Sequence, residues 1–211
     1  MHLPPKPASL PLLVLLLLLG GCATMNRSEC LNADWRMIGM EDGASGRPLT
    51  YIGNHRKACA EFGISPDLDR YQSGHAQGLQ QFCTYARGYS FGQHGRRDPN
   101  VCPPQLAQDF RLGHQRGLEI HDLNREISQT RKALKENLDL YEELQGEVEY
   151  KEGLIISRKT REAERALLLV EVKDAQAEIG RLEVEADLLR QQIADITQER
   201  DYLKREYAAG R

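Results

Sequence analysis

The chain has 211 residues, with 28 Lys and Arg against 31 Asp and Glu and a net charge of −3. That length allows one or two domains, and the charge excludes a globally basic nucleic-acid binder, so no nucleic-acid partner is expected. The charge is uneven: residues 23–117 hold 11 basic against 9 acidic side chains, whereas residues 118–211 hold 16 against 22.

At the N-terminus Lys6 precedes an apolar run from Leu10 to Leu19. The run is too short to span a bilayer as a helix but suits the core of a signal peptide. Small residues then lead into a cysteine in Leu19-Gly20-Gly21-Cys22, an order that resembles a bacterial lipobox. The resemblance implies a signal peptide over 1–21, cleavage before Cys22, and fatty acyl chains such as palmitate on that residue, with 22–29 as spacer. Ala23, where an Asp would retain the protein at the inner membrane, implies an outer-membrane lipoprotein facing the periplasm. The competing reading is an uncleaved signal anchor. Loss of 1–21 removes Lys6 and no acidic residue, which leaves a net charge of −4.

Cys30, Cys59, Cys83 and Cys102 all lie before residue 103, and the last proline is Pro104. An even number of cysteines in a small exported segment reads as two disulfides with three pairings open; the sequence-local one, 30–59 and 83–102, is favoured. Zinc fits poorly, because no Cys-x-x-Cys pair occurs and the spacings are wide. Residues 30–117 thus read as a small Cys/Gly-rich helical domain.

Within it, Ser28 is a candidate N-cap for a helix carrying Leu31, Trp35 and Ile38, which Gly39, Gly43 and Gly46 bring to an end. A second helix aligns Tyr51, His55, Ala58, Cys59 and Phe62, with Gly63 as its C-terminal cap. Ser65-Pro66 starts a third, with Leu68, Tyr71, His75, Gly78, Leu79 and Phe82 on one face. Residues 84–101 read as a surface loop, and Pro103-Pro104 opens a fourth helix with Leu106, Phe110, Gly113 and Gly117.

The third and fourth helices share the pattern aromatic-x-x-Gly-His-x-x-Gly-Leu, at Tyr71–Leu79 and Phe110–Leu118. Trp35 with Gly39 and Gly43 is a looser copy, and Tyr89-x-x-Gly92 a partial one. Glycines four apart on one helix face allow another backbone to approach closely, which offsets the cost of about 1 kcal/mol that each helical Gly carries against Ala.

The Gly39-x-x-Asp42-Gly43 segment after Trp35, the Cys59 helix, Tyr71…Gly78-Leu79…Cys83 and Val101-Cys102-Pro103 together resemble a family of uncharacterised proteobacterial lipoproteins. That family carries a Cys/Gly/aromatic-rich domain of unknown function. The resemblance covers about 30–117 and implies a periplasmic, lipid-anchored domain with disulfides, and no established activity.

From Leu118 onward the composition is that of a coiled coil without proline, expected over 118–206 with a frayed end at 207–211. Ile120, Ile127, Leu134, Tyr141, Val148 and Ile155 recur every seven residues, although the companion positions include Thr130 and Lys151. Val172, Ile179, Ala186 and Ile193 interleave with Ala175, Leu182, Leu189, Ile196 and Leu203 as a stronger heptad seam. The two series are out of phase, with a break near 153–165. The chain either continues through a slip or folds back there. The scarcity of turn residues favours one long interrupted helix.

No nucleophile–base motif is present, and no enzyme activity, cofactor or metal is expected. His75 and His114 occupy equivalent repeat positions, and a metal or pH-sensing pair is set against the simpler reading of ordinary helix residues. Tyr89, Phe91, Arg96 and Arg97 form a candidate binding loop for a peptidoglycan, lipid or protein partner; the simpler reading, that the aromatics pin the loop to the core, is favoured. The fold expectation is mainly α, a small disulfide-bonded helical domain followed by a long coiled-coil helix. The functional expectation is a non-enzymatic outer-membrane lipoprotein, anchored to lipid through Cys22, that scaffolds or tethers through a coiled coil to a second copy or a helical partner. The alternative is an envelope binding module whose Gly/aromatic domain recognises a cell-wall or lipid component. A cell-wall hydrolase is a distant third.

Overall fold

A computed structural model of the protein describes residues 25–209. The signal segment and Cys22 lie outside the described residues, as do residues 210–211. Every regular element described is helical: α1 (Arg27–Leu31), α2 (Trp35–Ala44), a 3-10 turn (Leu49–Tyr51), α3 (Ile52–Ala60), α4 (Leu68–Phe82), α5 (Tyr85–Gln93), α6 (Pro104–Ile156) and α7 (Glu162–Ala209). The mainly α expectation therefore holds. The chain divides into two compact units, the first ending at Phe82 and including Pro99–Cys102, the second made of Cys83–Asp98 and everything from Pro103 on. The fourth front helix is the first part of α6, so this division by contacts groups it with the tail, and the expected boundary at 117/118 falls inside α6.

Local chemistry explains where helices start. Asn26 and Glu29 form a reciprocal capping box on α1. Asp34 then accepts from the backbone N–H groups of Arg36 and Met37 and starts α2, so the single helix expected from Ser28 is two. The Asp67 carboxylate accepts from Arg70 N–H at 3.0 Å, which places the start of α4 beyond the expected Ser65 cap. Residues 85–93, expected as loop, are helical, capped by the Thr84 hydroxyl.

In the first unit α2 and α4 run parallel and touch through glycine. The Tyr71 and His75 carbonyl oxygens fill the space where a Cβ at Gly39 and Gly43 would sit, and the Arg36 and Met40 carbonyls do so at Gly74 and Gly78. Gly39 and Gly43 thus lie inside the helix they were expected to end. Gly46 ends it: at φ +73° it lets the N–H groups of Gly46 and Arg47 reach the Gly43 and Asp42 carbonyls in a Schellman motif. A core of Cys30, Trp35, Ile52, Cys59 and Tyr71 packs beside this pair, and Cys30 is joined to Cys59, as the sequence-local pairing expects. Cys83 and Cys102 are disulfide-bonded as well.

The second unit repeats the device with α5 and α6. Gly88 and Gly92 meet the carbonyls of Phe110 and His114; Gly113 and Gly117 meet those of Tyr85 and Tyr89. Gly95, at φ +65°, closes α5 with the same Schellman pattern through Arg96. Every partner on α2 recurs 49 residues later on α5, and every partner on α4 recurs 39 residues later on α6. The ten-residue difference falls in the connection between the paired helices, which in the first unit contains α3.

From this pair α6 continues without interruption to Ile156. At ~1.5 Å per residue its 53 residues extend about 80 Å. The chain then reverses through Ser157–Arg161, and α7 returns antiparallel to α6. The register is read from Lys151 with Glu171, Tyr141 with Glu183, Asn137 with Glu185 and Asn124 with Arg200. The tail is thus a helical hairpin, and the favoured reading of one interrupted helix is corrected. Its phase break is the point of reversal. Val172, Leu182, Ala186 and Ile196 are buried, and Ile179, Leu189, Ile193 and Leu203 are half-buried, against the series on α6 that includes Ile120, Ile127 and Val148. Of the expected frayed end at 207–211, Tyr207 is helical and buried at 8% exposure, and residues 210–211 lie outside the described residues.

Candidate functional site

Two polar clusters stand out, one in each unit. In the first, the Asp42 carboxylate is buried at 4% exposure on α2, where the glycines on either side bring α4 close. Tyr71 donates its hydroxyl to Asp42 Oδ2 at 2.7 Å, His55 Nε2 lies 2.8 Å from the same oxygen, and Arg47 Nη1 donates to Oδ1 at 2.9 Å. Arg47 also lies over the Tyr51 ring, and its carbonyl accepts from His75 Nε2 at 2.8 Å. Burial, and then the bond to Asp42, push the Tyr71 hydroxyl well above the usual tyrosine range. α3 supplies His55, and the Cys30–Cys59 bridge holds that helix. Such a satisfied buried carboxylate fixes one arrangement of the helices around it.

The second cluster forms where the end of α7 meets α5 and α6. Tyr85 and Tyr89 stack at 6.2 Å, and Tyr207 stands edge-on to Tyr89. The Arg116 guanidinium lies over the Tyr207 ring at 4.8 Å and donates to the Tyr85 hydroxyl at 3.2 Å. Tyr207 donates to the Glu119 carboxylate; burial and that bond raise its pKa well above the usual value. A shallow cavity here is lined by Tyr85, Ala86, Tyr89, Lys204, Tyr207 and Ala208. Aromatic faces beside cations can stack on a ring and neutralise an anion.

The structure separates the expected binding-loop residues. Tyr89 joins the Tyr207 cluster, whereas Phe91, two positions on and so on another helix face, packs edge-on against Phe110 at 5.9 Å. Arg96 lies over the Phe91 ring at 5.2 Å, and Arg97 is exposed. The candidate loop is therefore not one surface. His75 and His114 each donate from Nε2 to a carbonyl of their own unit, His114 to Arg96 O at 2.6 Å, and so act as equivalent struts in the repeat. Among the described residues no group of three or more His, Cys, Asp and Glu side chains is placed to hold a metal. No described helix is long and apolar enough to cross a membrane.

Sequence reasoning missed Tyr85, Gly88, Arg116 and Tyr207. The signal for Gly88 was present in its spacing of four from Gly92. Tyr207 carried no readable signal, since its partners lie about 90 and 120 residues away (Glu119 and Tyr85).

The architecture is thus that of a twice-used, glycine-packed parallel helix pair, with a helical hairpin grown from the second copy. Residues 34–119 match the family model described as "Protein of unknown function (DUF2799)", a span that takes in both glycine-packed pairs and stops where the hairpin proper begins. No curated protein and no solved structure gives a significant match to the chain.

Proposed function

We propose that the protein is a non-enzymatic lipoprotein of the bacterial outer membrane, held by acyl chains on Cys22 and facing the periplasm, whose hairpin acts as a scaffold or tether. The observation that carries this reading is the continuity of α6. The helix pinned by Gly113 and Gly117 in the glycine-packed pair is the same helix that reaches the hairpin turn at Ile156. A load or a partner at the turn is thereby linked to the packed domain through one rigid element. The turn region presents apolar side chains, with Ile156 83% and Tyr150 68% exposed.

A second reading, the envelope binding module, draws on the cavity at Tyr85, Tyr89, Lys204 and Tyr207. There, stacking and positive charge suit a cell-wall glycan or a lipid headgroup. Photo-reactive residues placed at Ile156 and Arg158 in living cells separate the two, with Cys22→Ala as the mislocalised control. The scaffold reading expects capture of an envelope protein at these turn positions, lost in the control. Adducts confined to glycan or lipid at a probe replacing Lys204, with none at the turn, would overturn it in favour of the binding module.

A further inference from the structure

Met25 stands three residues after Cys22. Three residues reach at most about 11 Å at ~3.6 Å each, so acyl chains on Cys22 would hold Met25 close to a bilayer surface. Met25 is itself fixed to the first unit. It packs against the core of that unit, and its carbonyl oxygen lies 4.0 Å from Cys30 Sγ. Cys30 is the penultimate residue of α1, and its bridge to Cys59 brings the end of α3 alongside. α2 and α4 also begin at this end of the unit, where Arg70 reaches Asp34 at 3.5 Å. Three large apolar side chains are exposed there, one each from α1, the turn after α3 and the start of α4: Leu31 (62%), Phe62 (37%) and Leu68 (42%). The charges around them balance, with Arg27, Lys57 and Arg70 against Glu29, Glu61 and Asp67, all exposed.

We infer that this end of the first unit is a membrane-docking surface, and that its occupant is the phospholipid headgroup layer of the bilayer that holds the anchor. This placement rests on the acylation of Cys22 proposed above. A reach of about 11 Å is little more than the thickness of one headgroup layer, about 5–8 Å on each side of the hydrocarbon core. Leu31, Phe62 and Leu68 are thereby held where apolar faces of surface helices embed, at the boundary between headgroups and acyl chains. Balanced charge suits zwitterionic headgroups and makes the contact insensitive to salt, unlike that of a polybasic patch. The other end of the unit is out of reach. Leu49, exposed to 41%, follows the C-terminus of α2, whose 10 residues extend about 15 Å. The tether fixes where the unit sits, and the three apolar side chains fix its orientation, with the N-termini of α2 and α4 toward the lipid.

The test uses the full acylated chain in vesicles of phosphatidylethanolamine with a little phosphatidylglycerol. A photo-reactive residue replaces position 31, 62 or 68, or position 49 of the same unit as the control. The chain should float with the vesicles, and lipid adducts at 31, 62 and 68 should exceed those at 49 about tenfold, at low and high salt alike. Leu31→Gln combined with Leu68→Gln should lower the adduct at 62 about tenfold, with circular dichroism unchanged. A chain that floats but gives adducts equally at 49, gives none at 31, 62 and 68, or keeps its yield at 62 in the double variant would overturn the docking surface and leave the anchor standing. Failure to float would instead remove the anchor. The chain from residue 23, held on nickel-chelating vesicles by an N-terminal histidine tag, then decides the surface alone: the same adduct pattern supports it, and an even pattern overturns it.

Discussion

The two glycine-packed helix pairs have one backbone device and two different fillings. In α2–α4 the space beside the crossing holds a carboxylate, with Asp42 bonded to Tyr71, Arg47 and His55. In α5–α6 the corresponding positions are Phe91 and Phe110, packed edge-on, and the Arg47 counterpart Arg96 lies over a ring. Backbone geometry was thus set by the glycines and the Schellman turn, and the side chains beside them were free to be polar or apolar as a set. What permits the polar set is α3, which brings His55 and is tied by Cys30–Cys59. The α5–α6 connection, residues 94–103 against 45–67 in the first unit, is shorter and has no such helix.

The largest effect should come from the device the two pairs share. Gly78→Val and Gly117→Val each drive a side chain into a backbone carbonyl, of Met40 and Tyr89 respectively. Each should cost about 4 kcal/mol or more and disrupt its own unit, because the neighbour is backbone and cannot rotate away. Trp35 is the single tryptophan and lies in the first unit, so its fluorescence in denaturant should register Gly78→Val and be far less affected by Gly117→Val. A common loss in both variants would mean that the units do not unfold separately.

Next in size is the bridge. Replacing Cys30 and Cys59 with Ser reopens a loop of 29 residues and should cost about 3–4 kcal/mol by the chain-entropy argument. The loss belongs to the unit with α3, again read through Trp35.

Exchanging the fillings sharpens the contrast further. Tyr71→Phe leaves the buried Asp42 short of a donor and should cost about 1–3 kcal/mol. Phe110→Tyr places a hydroxyl beside Phe91, where the first unit has a carboxylate, and should cost a similar amount. Phe91→Asp combined with Phe110→Tyr would recover only part of that loss, since the second unit has no counterpart of His55. The wild-type Tyr71 also makes the first unit alkali-sensitive. Its folded pKa is raised above the ordinary value of about 10, so its contribution is complete below that pH and is lost as pH rises through the folded value. Stability of the first unit should decline above about pH 10, with a shallower slope in Tyr71→Phe; an unchanged slope would remove Tyr71 as the cause.

Much of this organisation was legible in the sequence for a physical reason: it is periodic or local. Glycines four apart, His75 and His114 in equivalent places and the seam from Val172 to Leu203 repeat at helical spacing, and Cys30 and Cys59 lie close enough in sequence for pairing to be guessed. What escaped depends on contacts between distant residues or on unusual local chemistry. The reversal at Ser157–Arg161 uses neither Pro nor Gly. It is held by side chains, with the Thr160 hydroxyl donating to the Leu154 carbonyl at 2.7 Å and Arg165 to the Ser157 carbonyl at 2.8 Å. Helix α5 was hidden because Gly88 and Gly92 look like loop residues until the helix that needs them is in place.

The smallest prediction contrasts glycines that are required with glycines that are not. A Cβ at Gly146, Gly153 or Gly180 meets nothing within 4 Å, and all three are exposed on the hairpin helices. Alanine there should stabilise the second unit by about 0.5–1 kcal/mol per site, because it removes backbone freedom from the unfolded chain without touching the fold. The three together should raise the midpoint of the hairpin's helical unfolding while leaving the Trp35 transition unmoved. Gly113→Ala, the same substitution on the same helix as Gly146→Ala, should do the opposite, since its methyl meets the Tyr85 carbonyl. If Gly113→Ala were as well tolerated as Gly146→Ala, the α5–α6 crossing would not be a glycine-dependent contact. The likeness between the two pairs would then be one of sequence alone.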